Sequence, residues 1–494
     1  MKRLVIIGAG ISGLAAATAA ADARQGDELE ILVLEAGPKV GGKAQTIRRN
    51  GYLLEAGPTG YLDNEPLMDE LVQKAGLEKL GADDAAARRF LVRDGKLREI
   101  QASPPRFLTS GILSPGGVLR IATEPFRKQK TDPKDESVWE FAARRLGPQA
   151  ADRIIAPMVL GVYAGDAKRT SLSAAFPRMA ELEAEYGSLV KALISLRNQK
   201  GKTSGGPAGP SGKLTSFAGG LDQLPLKLAE SCQARGDFQV RLNTRVETLT
   251  YGIDSARPND DPGGNPEAKP GVWNLRISSN GTTKALQADA VVLATEANVA
   301  AKLLASPAPD IATELKDIPM PHVAVVGLGF GPDALAKAPR GFGALIQRGG
   351  GIRILGVLWD TFLFPERSPD GTVLMRCMVG GATDPEAAKL TDEELVALTH
   401  ADLTKLLNLD GTAPIFTEVV RWPNAIPQYE MGHLARMDRI HTAMASLEQT
   451  APGLYLAGNY TAGVAFAKAA KAGDAAGREA AERVLKDATR PSQA

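Results

Sequence analysis

The chain has 494 residues, 44% hydrophobic and 23% charged, and its 58 basic and 57 acidic side chains leave a net charge of +1. This length predicts two or three domains with apolar cores, and the charge balance argues against a nucleic-acid partner. Two distant cysteines, Cys232 and Cys377, and four scattered histidines argue against a disulfide framework and against a metal site.

The first residues predict a strand rather than a targeting segment. The apolar run 4–7 begins directly after a short charged start, which leaves no room for a leader with a cleavage site. A run of about eighteen apolar residues, the signature of a membrane span, is absent. We therefore expect a cytoplasmic protein.

The predicted elements begin as an α/β fold. Residues 3–35 are typical of a strand, a glycine turn, an alanine-rich helix and a second strand at 30–34. This order opens a Rossmann-like nucleotide-binding unit. Residues 67–196 are mostly helical in pattern, with clear periodicity at 67–75 and 137–146. We expect an inserted helical region there.

The second half is richer in strands. Alternating runs predict a β-meander that returns to the nucleotide-binding domain, at 239–250, 272–278 and 288–295. A second strand-rich region, with a mixed α+β pattern, is predicted at 322–330, 343–347, 352–360 and 373–379. The segment 453–458 and the alanine-rich helix after it again follow the order strand, turn, helix.

Polar, glycine- and proline-rich stretches predict flexible loops at 198–212 and 253–271. Together with the element order, they predict a nucleotide-binding domain assembled from three separate parts, a helical insertion and a substrate domain. The predicted boundaries place the nucleotide-binding domain at 1–80, 212–300 and 448–494, the helical region at 81–211 and the substrate domain at 301–447.

A glycine fingerprint follows the first strand. Gly8 permits the turn, Gly10 admits a pyrophosphate and Gly13 lets the helix pack closely on the strand. The helix amino terminus then offers free amides to the phosphates. Glu35 ends the second strand, where its carboxylate can accept hydrogen bonds from both ribose hydroxyls. These residues alone fit FAD and NAD equally well.

Three further segments favour FAD. Gly41-Gly42 and Glu55-Ala56-Gly57-Pro58 resemble the contacts that the amine oxidase and protoporphyrinogen oxidase superfamily places along FAD. Leu456-Ala457-Gly458-Asn459 with Gly463-Val464 resembles the closing motif of that superfamily, which brings a second helix amino terminus to the isoalloxazine ring. Each segment alone is also compatible with a helix cap or a tight turn, but their order and spacing indicate FAD.

The middle of the chain resembles the protoporphyrinogen oxidase family rather than monoamine oxidase or phytoene desaturase. The resemblance extends from Met1 to about Arg483. Its motifs are Ile155-Ala156-Pro157-Met158-Val159-Leu160-Gly161-Val162-Tyr163-Ala164-Gly165-Asp166, Leu172-Ser173-Ala174-Ala175-Phe176-Pro177, Phe217-Ala218-Gly219-Gly220-Leu221, Met378-Val379-Gly380-Gly381 and Trp422-Pro423-Asn424-Ala425-Ile426-Pro427-Gln428-Tyr429.

The resemblance implies an oxygen-dependent oxidase with non-covalent FAD that converts protoporphyrinogen IX to protoporphyrin IX in haem biosynthesis. It also implies an FAD domain, a substrate domain and a helical region that rests on membranes in some relatives. The cofactor-binding positions expected from the fingerprint and the motifs are Gly8, Ala9, Gly10, Ile11, Ser12, Gly13, Glu35, Ala36, Gly41, Gly42, Lys43, Gly57, Pro58, Thr59, Gly60, Val246, Trp422, Gly458, Val464, Ala465 and Phe466.

The same resemblance implies a substrate site. Arg89 matches an arginine that pairs with a substrate propionate, and Gly161 matches a backbone carbonyl that approaches the macrocycle. Phe342 and Leu345 match positions that hold a pyrrole ring, and Met378 matches another wall. A porphyrinogen is a large apolar disc with carboxylates on one edge, so apolar walls with a rim cation suit it. Ordinary core packing is the alternative role for the three apolar side chains.

Two positions depart from the family pattern. Thr59 follows Gly57-Pro58 where relatives carry either an arginine or a smaller residue. Ala465-Phe466-Ala467-Lys468 follows Val464 where many bacterial members carry an Asn-Asp pair. These departures affect contacts near the flavin and leave the FAD assignment intact.

Because the cofactor carries out the difficult chemical step, we do not expect a cluster of catalytic side chains. Other activities remain open at this stage: coproporphyrinogen III oxidation in the same fold, an amine or carotenoid-type flavin oxidoreductase, and a non-catalytic FAD carrier.

Residues 88–130 contain ten basic and three acidic side chains. Peripheral contact with the inner face of a membrane and a merely solvated basic face both explain this excess. A homodimer is compatible with the resemblance.

Overall fold

The computed structural model describes residues 1–24, 29–100, 110–132, 134–199, 212–252 and 271–489. The loops predicted at 198–212 and 253–271 lie almost wholly outside the described residues, as does Arg106 of the basic segment.

The described strands are numbered in chain order. They are β1 (Lys2–Ile7), β2 (Leu29–Leu34), β3 (Thr46–Arg49), β4 (Tyr52–Glu55), β5 (Tyr61–Leu62), β6 (Leu80–Gly81), β7 (Phe90–Arg93), β8 (Lys96–Glu99), β9 (Leu214–Ser216), β10 (Gln239–Arg241), β11 (Thr244–Tyr251), β12 (Trp273–Ser279), β13 (Thr282–Ala288), β14 (Ala290–Leu293), β15 (Val323–Phe330), β16 (Gly343–Ile346), β17 (Gly356–Trp359), β18 (Val373–Gly380), β19 (Phe416–Trp422) and β20 (Leu454–Leu456).

The described α-helices are numbered in the same way. They are α1 (Ile11–Ala23), α2 (Pro66–Ala75), α3 (Pro115–Ala122), α4 (Val138–Arg145), α5 (Pro148–Ala150), α6 (Ala156–Tyr163), α7 (Leu172–Ala175), α8 (Pro177–Tyr186), α9 (Leu189–Gln199), α10 (Gln223–Ala234), α11 (Ala297–Leu304), α12 (Pro309–Lys316), α13 (Pro332–Lys337), α14 (Asp360–Leu363), α15 (Asp392–Leu407), α16 (His433–Thr450) and α17 (Phe466–Thr489).

A five-stranded parallel sheet of order β10-β2-β1-β14-β20 forms the first core, and it confirms the predicted α/β class. Leu4, Val5 and Ile6 of β1 are all 0% exposed. Helices on both faces explain why this strand is apolar throughout rather than alternating. The strand order brings the C-terminal β20 beside β14, so the end of the chain returns to the first domain.

Helices α1 and α17 pack unusually closely against each other. A Cβ added at Gly473 would lie 1.9 Å from the Ser12 carbonyl oxygen, and one at Gly477 would lie 2.0 Å from that of Ala16. Glycines on α17 and alanines on α1 therefore let the two backbones touch. This packing fixes the amino terminus of α1, where the glycine turn lies.

A seven-stranded sheet of order β19-β15-β18-β17-β16-β7-β8 forms the second core. On one face, Val326, Trp359, Met375 and Cys377 are 0% exposed and pack together in an apolar cluster. The opposite face of this sheet is turned toward the 56–60 loop and α6. An antiparallel meander, β11-β12-β13, packs against the parallel sheet in one apolar cluster. Its third strand is Thr282–Ala288 rather than the predicted 288–295, because β14 within that run pairs with β1 in the parallel sheet.

The hairpin β7–β8 comes from the region that the sequence predicts to be mostly helical. Asp94 and Gly95 both have positive φ, 49° and 70°. This pair is typical of a two-residue type I′ turn, and it allows β7 to pair with β16 of the large sheet. The rest of the described helical region begins at α3, so the 81–211 boundary stays a prediction.

The helical region is held by buried charge. Arg145 and Glu124, both 0% exposed, form an ion pair, and Glu124 also accepts hydrogen bonds from Ser188 and from the backbone of Leu189 at the start of α9. Helix α4 begins with a capping box between Ser137 and Glu140. Among the described residues, no helix has the length and apolar character needed to cross a membrane.

Candidate cofactor and substrate site

The glycine turn adopts the backbone that its sequence predicts. Gly8 has φ +103°, and a Cβ there would lie 2.7 Å from the Ala294 carbonyl oxygen. A Cβ at Gly13 would lie 1.9 Å from the Gly8 carbonyl oxygen. Both positions therefore require glycine for protein packing alone.

Gly10 differs from these two glycines, since the protein leaves open space beside it. The nearest heavy atom to an added Cβ would be the Gly42 Cα at 3.9 Å. Gly10 also forms a β-bridge with Gly41, whose amide donates to the Ala9 carbonyl at 2.8 Å. Gly10 at the start of α1 and Gly42 of the second glycine pair thus border one cradle that a side chain would fill, which is the shape a pyrophosphate needs.

The Glu35 carboxylate lies at the same edge of the sheet. It accepts a hydrogen bond from the Ala9 amide at 2.8 Å and one from the Gly37 amide at 2.7 Å. These amides fix the orientation of the carboxylate while its remaining lone pairs stay available to a ribose. The Glu35 carbonyl accepts from the Thr244 amide at 2.8 Å, which brings β11 and Val246 to this edge.

Lys43 joins the cradle to a distant segment. Its Nζ donates to the Asn424 carbonyl, to the Ala425 carbonyl at 2.7 Å and to Glu296 at 2.8 Å. Burial lowers the pKa of the Lys43 amine, and Glu296 opposes this effect. Lys43 therefore anchors the Gly41-Gly42 turn to the loop after β19.

The 56–60 loop lies between the Gly41-Gly42 turn and the seven-stranded sheet. A Cβ at Gly57 would lie 2.0 Å from the Lys43 carbonyl oxygen, and one at Gly60 would lie 2.3 Å from that of Thr215. The Trp422 indole donates from Nε1 to the Ala56 carbonyl at 2.6 Å. Close backbone contacts on one side and Trp422 on the other hold this loop in place.

Arg376 of β18 also binds this loop. Its guanidinium donates to the Gly57 carbonyl at 3.0 Å and to the Thr59 hydroxyl, and it forms an ion pair with Asp360 at 2.9 Å. Both charged side chains are 3% exposed. Arg376 is not among the site residues predicted from the sequence. The available signal was a charged residue inside an apolar strand run, which is tolerated in a core only with a partner.

A second buried acid stands behind the loop. Glu55 is 1% exposed, accepts from Thr46 Oγ1 and the Leu221 amide, both at 2.8 Å, and pairs with Arg367 at 3.2 Å. Burial raises the pKa of Glu55 to about 7, although the Arg367 charge works in the opposite direction. This pair joins β4 of the first domain to the segment before β18.

The turn after β20 lies at the same edge of the parallel sheet as the glycine turn and Glu35, which follow β1 and β2. This edge is the predicted cofactor edge. Gly458 has φ +149° and Gly463 has φ +135°, so the chain reverses sharply between β20 and α17. Val464 and Ala465 precede α17, whose first residue, Phe466, lies 6.4 Å from the Tyr61 ring between centroids. Through Tyr61, the start of α17 is tied to the strand that follows the 56–60 loop.

The expected substrate residues share one face of the large sheet. Leu345 pairs with Gly356, and Gly356 pairs with Met378, so these three positions form a row across β16, β17 and β18. A Cβ at Gly161 of α6 would lie 2.2 Å from Leu345 Cδ2. Phe342, Leu345, Met378 and Gly161 are all partly exposed, unlike the apolar side chains on the opposite face. Each of the three apolar side chains also packs against a buried apolar cluster, so the substrate role of these positions stays a prediction.

Arg89 stands at one end of this row. The residue is exposed, directly precedes β7, and its guanidinium lies 5.3 Å from the Phe342 ring centroid. Arg88, its neighbour, is instead paired with Glu99 at 2.9 Å. The Arg376 guanidinium lies two positions from Met378 on the same strand face and connects this wall to the 56–60 loop.

The structure thus places the expected residues along one continuous path. It runs from the Gly10 cradle through Lys43 and Gly57 to Arg376, and then along the sheet to Leu345 and Arg89. Ala36 is exposed beside Glu35, and Ile11 and Ser12 are buried in the first turn of α1. Among the described residues, no cluster of three or more His, Cys, Asp or Glu side chains could hold a metal ion.

Comparisons with known proteins agree with this architecture. The flavin containing amine oxidoreductase family matches residues 11–485. Protoporphyrinogen oxidase 1 from the chloroplast of Arabidopsis thaliana is 32% identical over 479 residues, covering 94% of this chain and 85% of the relative. The coproporphyrinogen III oxidase of Bacillus subtilis (strain 168) is 30% identical over 485 residues, covering 96% of this chain and 97% of the relative.

Solved structures share the fold. A crystal structure from Exiguobacterium sp. 255-15 has a TM-score of 0.78 at 23% identity and covers 98% of this chain and 99% of its own. Cyclohexylamine oxidase from Brevibacterium oxydans IH-35A has a TM-score of 0.65 at 17% identity, covering 99% and 100%. The extent of the sequence match and the shared fold lead to one assignment: the chain is a flavin-dependent oxidoreductase that belongs to the protoporphyrinogen oxidase family of the flavin containing amine oxidoreductases.

Proposed function

We propose that this protein oxidises protoporphyrinogen IX to protoporphyrin IX, with non-covalent FAD as cofactor and molecular oxygen as the final acceptor. The observation that carries the proposal is a series of contacts along one face of the seven-stranded sheet. Arg376 binds the 56–60 loop, and Met378 and Leu345 lie in one row across the neighbouring strands. Arg89 lies beside Phe342 at the end of this row. A flavin bound along the loop would lie beside an apolar wall with a cation at its rim. That combination suits a flat apolar tetrapyrrole with carboxylates on one edge.

The residues of the cradle fit FAD. The space beside Gly10 would accept the pyrophosphate, the α1 amino terminus would offer its amides, and Glu35 would bind the ribose. Gly57 to Gly60, Trp422 and the turn from Gly458 to Phe466 would surround the ring system. When bound, FAD supplies the two-electron acceptor for each oxidation.

The protein would position the substrate against the cofactor and exclude water from the site. Leu345, Met378 and Phe342 would present the macrocycle face to the cofactor, and the Gly161 carbonyl would approach the ring from α6. Arg89 would pair with a propionate and fix the orientation of the disc. Pyrrole nitrogens push electron density toward the methylene that loses hydrogen, so a strong protein base is not required, and positioning is the main catalytic contribution.

Coproporphyrinogen III oxidation is the second candidate function. The observation in its favour is coverage: the match spans 97% of the coproporphyrinogen III oxidase from Bacillus subtilis and 85% of the plastid relative. This substrate has four propionates where protoporphyrinogen has two. The choice between the two therefore depends on how many unpaired cations face the cavity.

Peripheral membrane contact is part of the proposal, in an otherwise cytoplasmic enzyme. Phe126 is 87% exposed, Leu119 65% and Ile194 57%, and all three belong to the helical region. Basic residues 127, 128 and 130 follow Phe126 directly. Exposed apolar groups beside basic ones are typical of a surface that binds anionic lipid. Sedimentation with anionic and with neutral vesicles tests this contact, and light scattering tests a homodimer.

The decisive experiment is anaerobic reduction of the purified yellow protein with protoporphyrinogen IX, followed at the flavin absorption band. We expect bleaching of the flavin band together with the appearance of porphyrin fluorescence, and reoxidation when oxygen is admitted. A flavin band that stays unchanged with both porphyrinogens, yet bleaches with an amine, would overturn the proposed function.

A further inference from the structure

The turn between β20 and α17 contains two glycines in the left-handed region and few hydrogen bonds of its own among the described contacts. Gly458 and Gly463 both have positive φ, and within the turn the Thr461 hydroxyl and amide both contact the same Gly458 carbonyl. Two glycines give such a turn more conformational freedom than other residues would. A turn that presents a cofactor contact therefore needs to be held from outside.

Tyr429 supplies that support from a different segment of the chain. Its hydroxyl donates a hydrogen bond to the Asn459 carbonyl, directly after Gly458 at the start of the turn. The Tyr429 side chain is buried, with 4% of the residue exposed, so water does not compete for the hydroxyl.

His433 fixes the Tyr429 ring. The two rings stack with centroids 4.1 Å apart and planes 12° apart. The Tyr163 ring of α6 also lies near Tyr429, with 6.1 Å between centroids. The Tyr429 ring thus contacts both His433 and the helix that carries Gly161.

We propose that Tyr429 is a positioning residue for the flavin: its hydroxyl holds the 458–463 turn at Asn459 and so sets the position of Gly458 and of the segment that leads into α17 against the ring system. The inference rests on the proposed function, because that function places the turn at the cofactor. It adds a residue that the glycine fingerprint and the family motifs assign to no binding role.

A phenylalanine would fill the same space and keep the stack on His433. The hydroxyl is therefore the informative group, and its hydrogen bond goes to the turn, at the Asn459 carbonyl. Tyr163 provides a matched control, since it is 5% exposed and its hydroxyl donates at 3.1 Å to the Ala175 carbonyl, away from the turn. Each variant, Tyr429→Phe and Tyr163→Phe, removes one buried hydroxyl.

The experiment compares the two variants in three measurements: the melting temperature of the apoprotein, the FAD dissociation constant from flavin fluorescence, and the flavin reduction potential. For Tyr429→Phe we expect an FAD dissociation constant about threefold to tenfold higher and a changed potential, because the hydrogen bond to the turn is lost. For Tyr163→Phe we expect the dissociation constant and the potential of the unchanged protein. A purely structural role of Tyr429 would lower the melting temperature alone and would overturn the inference.

A second variant keeps the inference testable if Tyr429→Phe does not fold. His433→Ala keeps the Tyr429 hydroxyl and removes the ring that stacks on it at 4.1 Å, and it is expected to weaken FAD binding in the same direction. FAD affinity and potential equal to those of the unchanged protein in every folded variant would overturn the inference. If the unchanged protein itself binds no FAD, the proposed function fails instead.

Discussion

The guanidinium of Arg89 lies 5.3 Å from the centroid of the Phe342 ring, although the two residues are separated by about half of the chain. The contact arises because β7 pairs in parallel with β16, which places the residue before β7 beside the residue before β16. A cation above an aromatic ring at the end of an apolar wall can bind a carboxylate while the ring packs on an apolar disc.

Replacing Arg89 by alanine is therefore expected to impair use of the porphyrinogen. Loss of one charged hydrogen bond costs roughly 1.5–3 kcal/mol, which corresponds to about a tenfold to hundredfold decrease in kcat/KM. FAD content should not change, since Arg89 lies on the sheet and away from the glycine cradle. Steady-state kinetics with protoporphyrinogen IX and the ratio of flavin to protein measure both effects.

Arg88 is the matched control for this prediction. Its guanidinium is already engaged by Glu99 at 2.9 Å and by the Arg340 carbonyl at 3.1 Å. We expect Arg88→Ala to leave kcat/KM within about twofold, the range of surface substitutions away from special features. Equal losses in both variants would show that general positive charge, rather than Arg89, steers the substrate.

Two glycines of the fingerprint should respond differently to the same substitution. Gly10→Ala places a methyl group in open space 3.9 Å from the Gly42 Cα, so the apoprotein should fold normally while the methyl obstructs the pyrophosphate. We expect FAD affinity to fall by about tenfold or more, equivalent to about 1.4 kcal/mol. Equilibrium binding of FAD to the refolded apoprotein measures this loss.

Gly13→Ala instead places a methyl group 1.9 Å from the Gly8 carbonyl oxygen. Such overpacking is expected to destabilise the apoprotein by about 1–3 kcal/mol, seen as a lower midpoint in urea unfolding. If Gly10→Ala binds FAD like the unchanged protein, the cradle is not the pyrophosphate site.

The sequence allowed the cofactor edge to be predicted because local chemistry determines it. Gly8 and Gly13 need glycine for contacts with the neighbouring turn and strand, and Glu35 lies at the end of a short apolar strand. Arg376 could not be assigned in this way, since its partners Asp360 and Gly57 meet it only through sheet pairing and domain contact. Tyr429 has the same property, because the turn that it binds lies 30 residues away.

The β7–β8 hairpin could not be predicted from the periodicity of apolar residues in the sequence. Phe90 to Arg93 and Lys96 to Glu99 are four-residue strands, too short to be distinguished from loops between helices. The Asp94-Gly95 pair was the available signal, as this dipeptide is typical of a tight hairpin. Pairing with β16 then stabilises a strand that local propensity alone would leave undetermined.

Stability should depend on pH through His433. Burial lowers the pKa of this 5% exposed residue from 6.5 to about 4, and the nearby Arg436 charge contributes in the same direction. Between pH 6.5 and 4 the unfolded chain therefore binds a proton that the folded protein excludes. The free energy of unfolding should fall as pH falls through this window, by up to about 3 kcal/mol in total.

The variant His433→Phe isolates this contribution. Glu55, whose pKa burial raises to about 7, works in the opposite direction, because its part of the stability is lost as pH rises from 4.5 to 7. Both proteins contain Glu55, so the difference between their unfolding free energies cancels it. That difference should shrink as pH falls toward 4, whereas a constant difference across the window would refute a neutral, buried His433.

Substrate preference should depend on whether the arginines near the apolar wall are already paired with carboxylates of the protein. Protoporphyrinogen IX carries two propionates and coproporphyrinogen III carries four, so the second substrate needs further cations or an edge open to water. Arg88 is engaged by Glu99 at 2.9 Å, and Arg353 is engaged by Asp384 at 3.0 Å. Neither is free to serve an additional carboxylate, and an unpaired buried carboxylate costs several kcal/mol.

We therefore expect a higher kcat/KM for protoporphyrinogen IX than for coproporphyrinogen III under identical detergent and oxygen conditions. Glu99→Gln removes the charge that engages Arg88, next to Arg89, and should raise the relative use of coproporphyrinogen by about threefold to tenfold, the value of a modest charged contact. Asp384→Asn provides the comparison at Arg353. A clear preference of the unchanged protein for coproporphyrinogen III would mean that the cavity holds more unpaired cations than Arg89, and it would transfer the proposed activity to the second candidate.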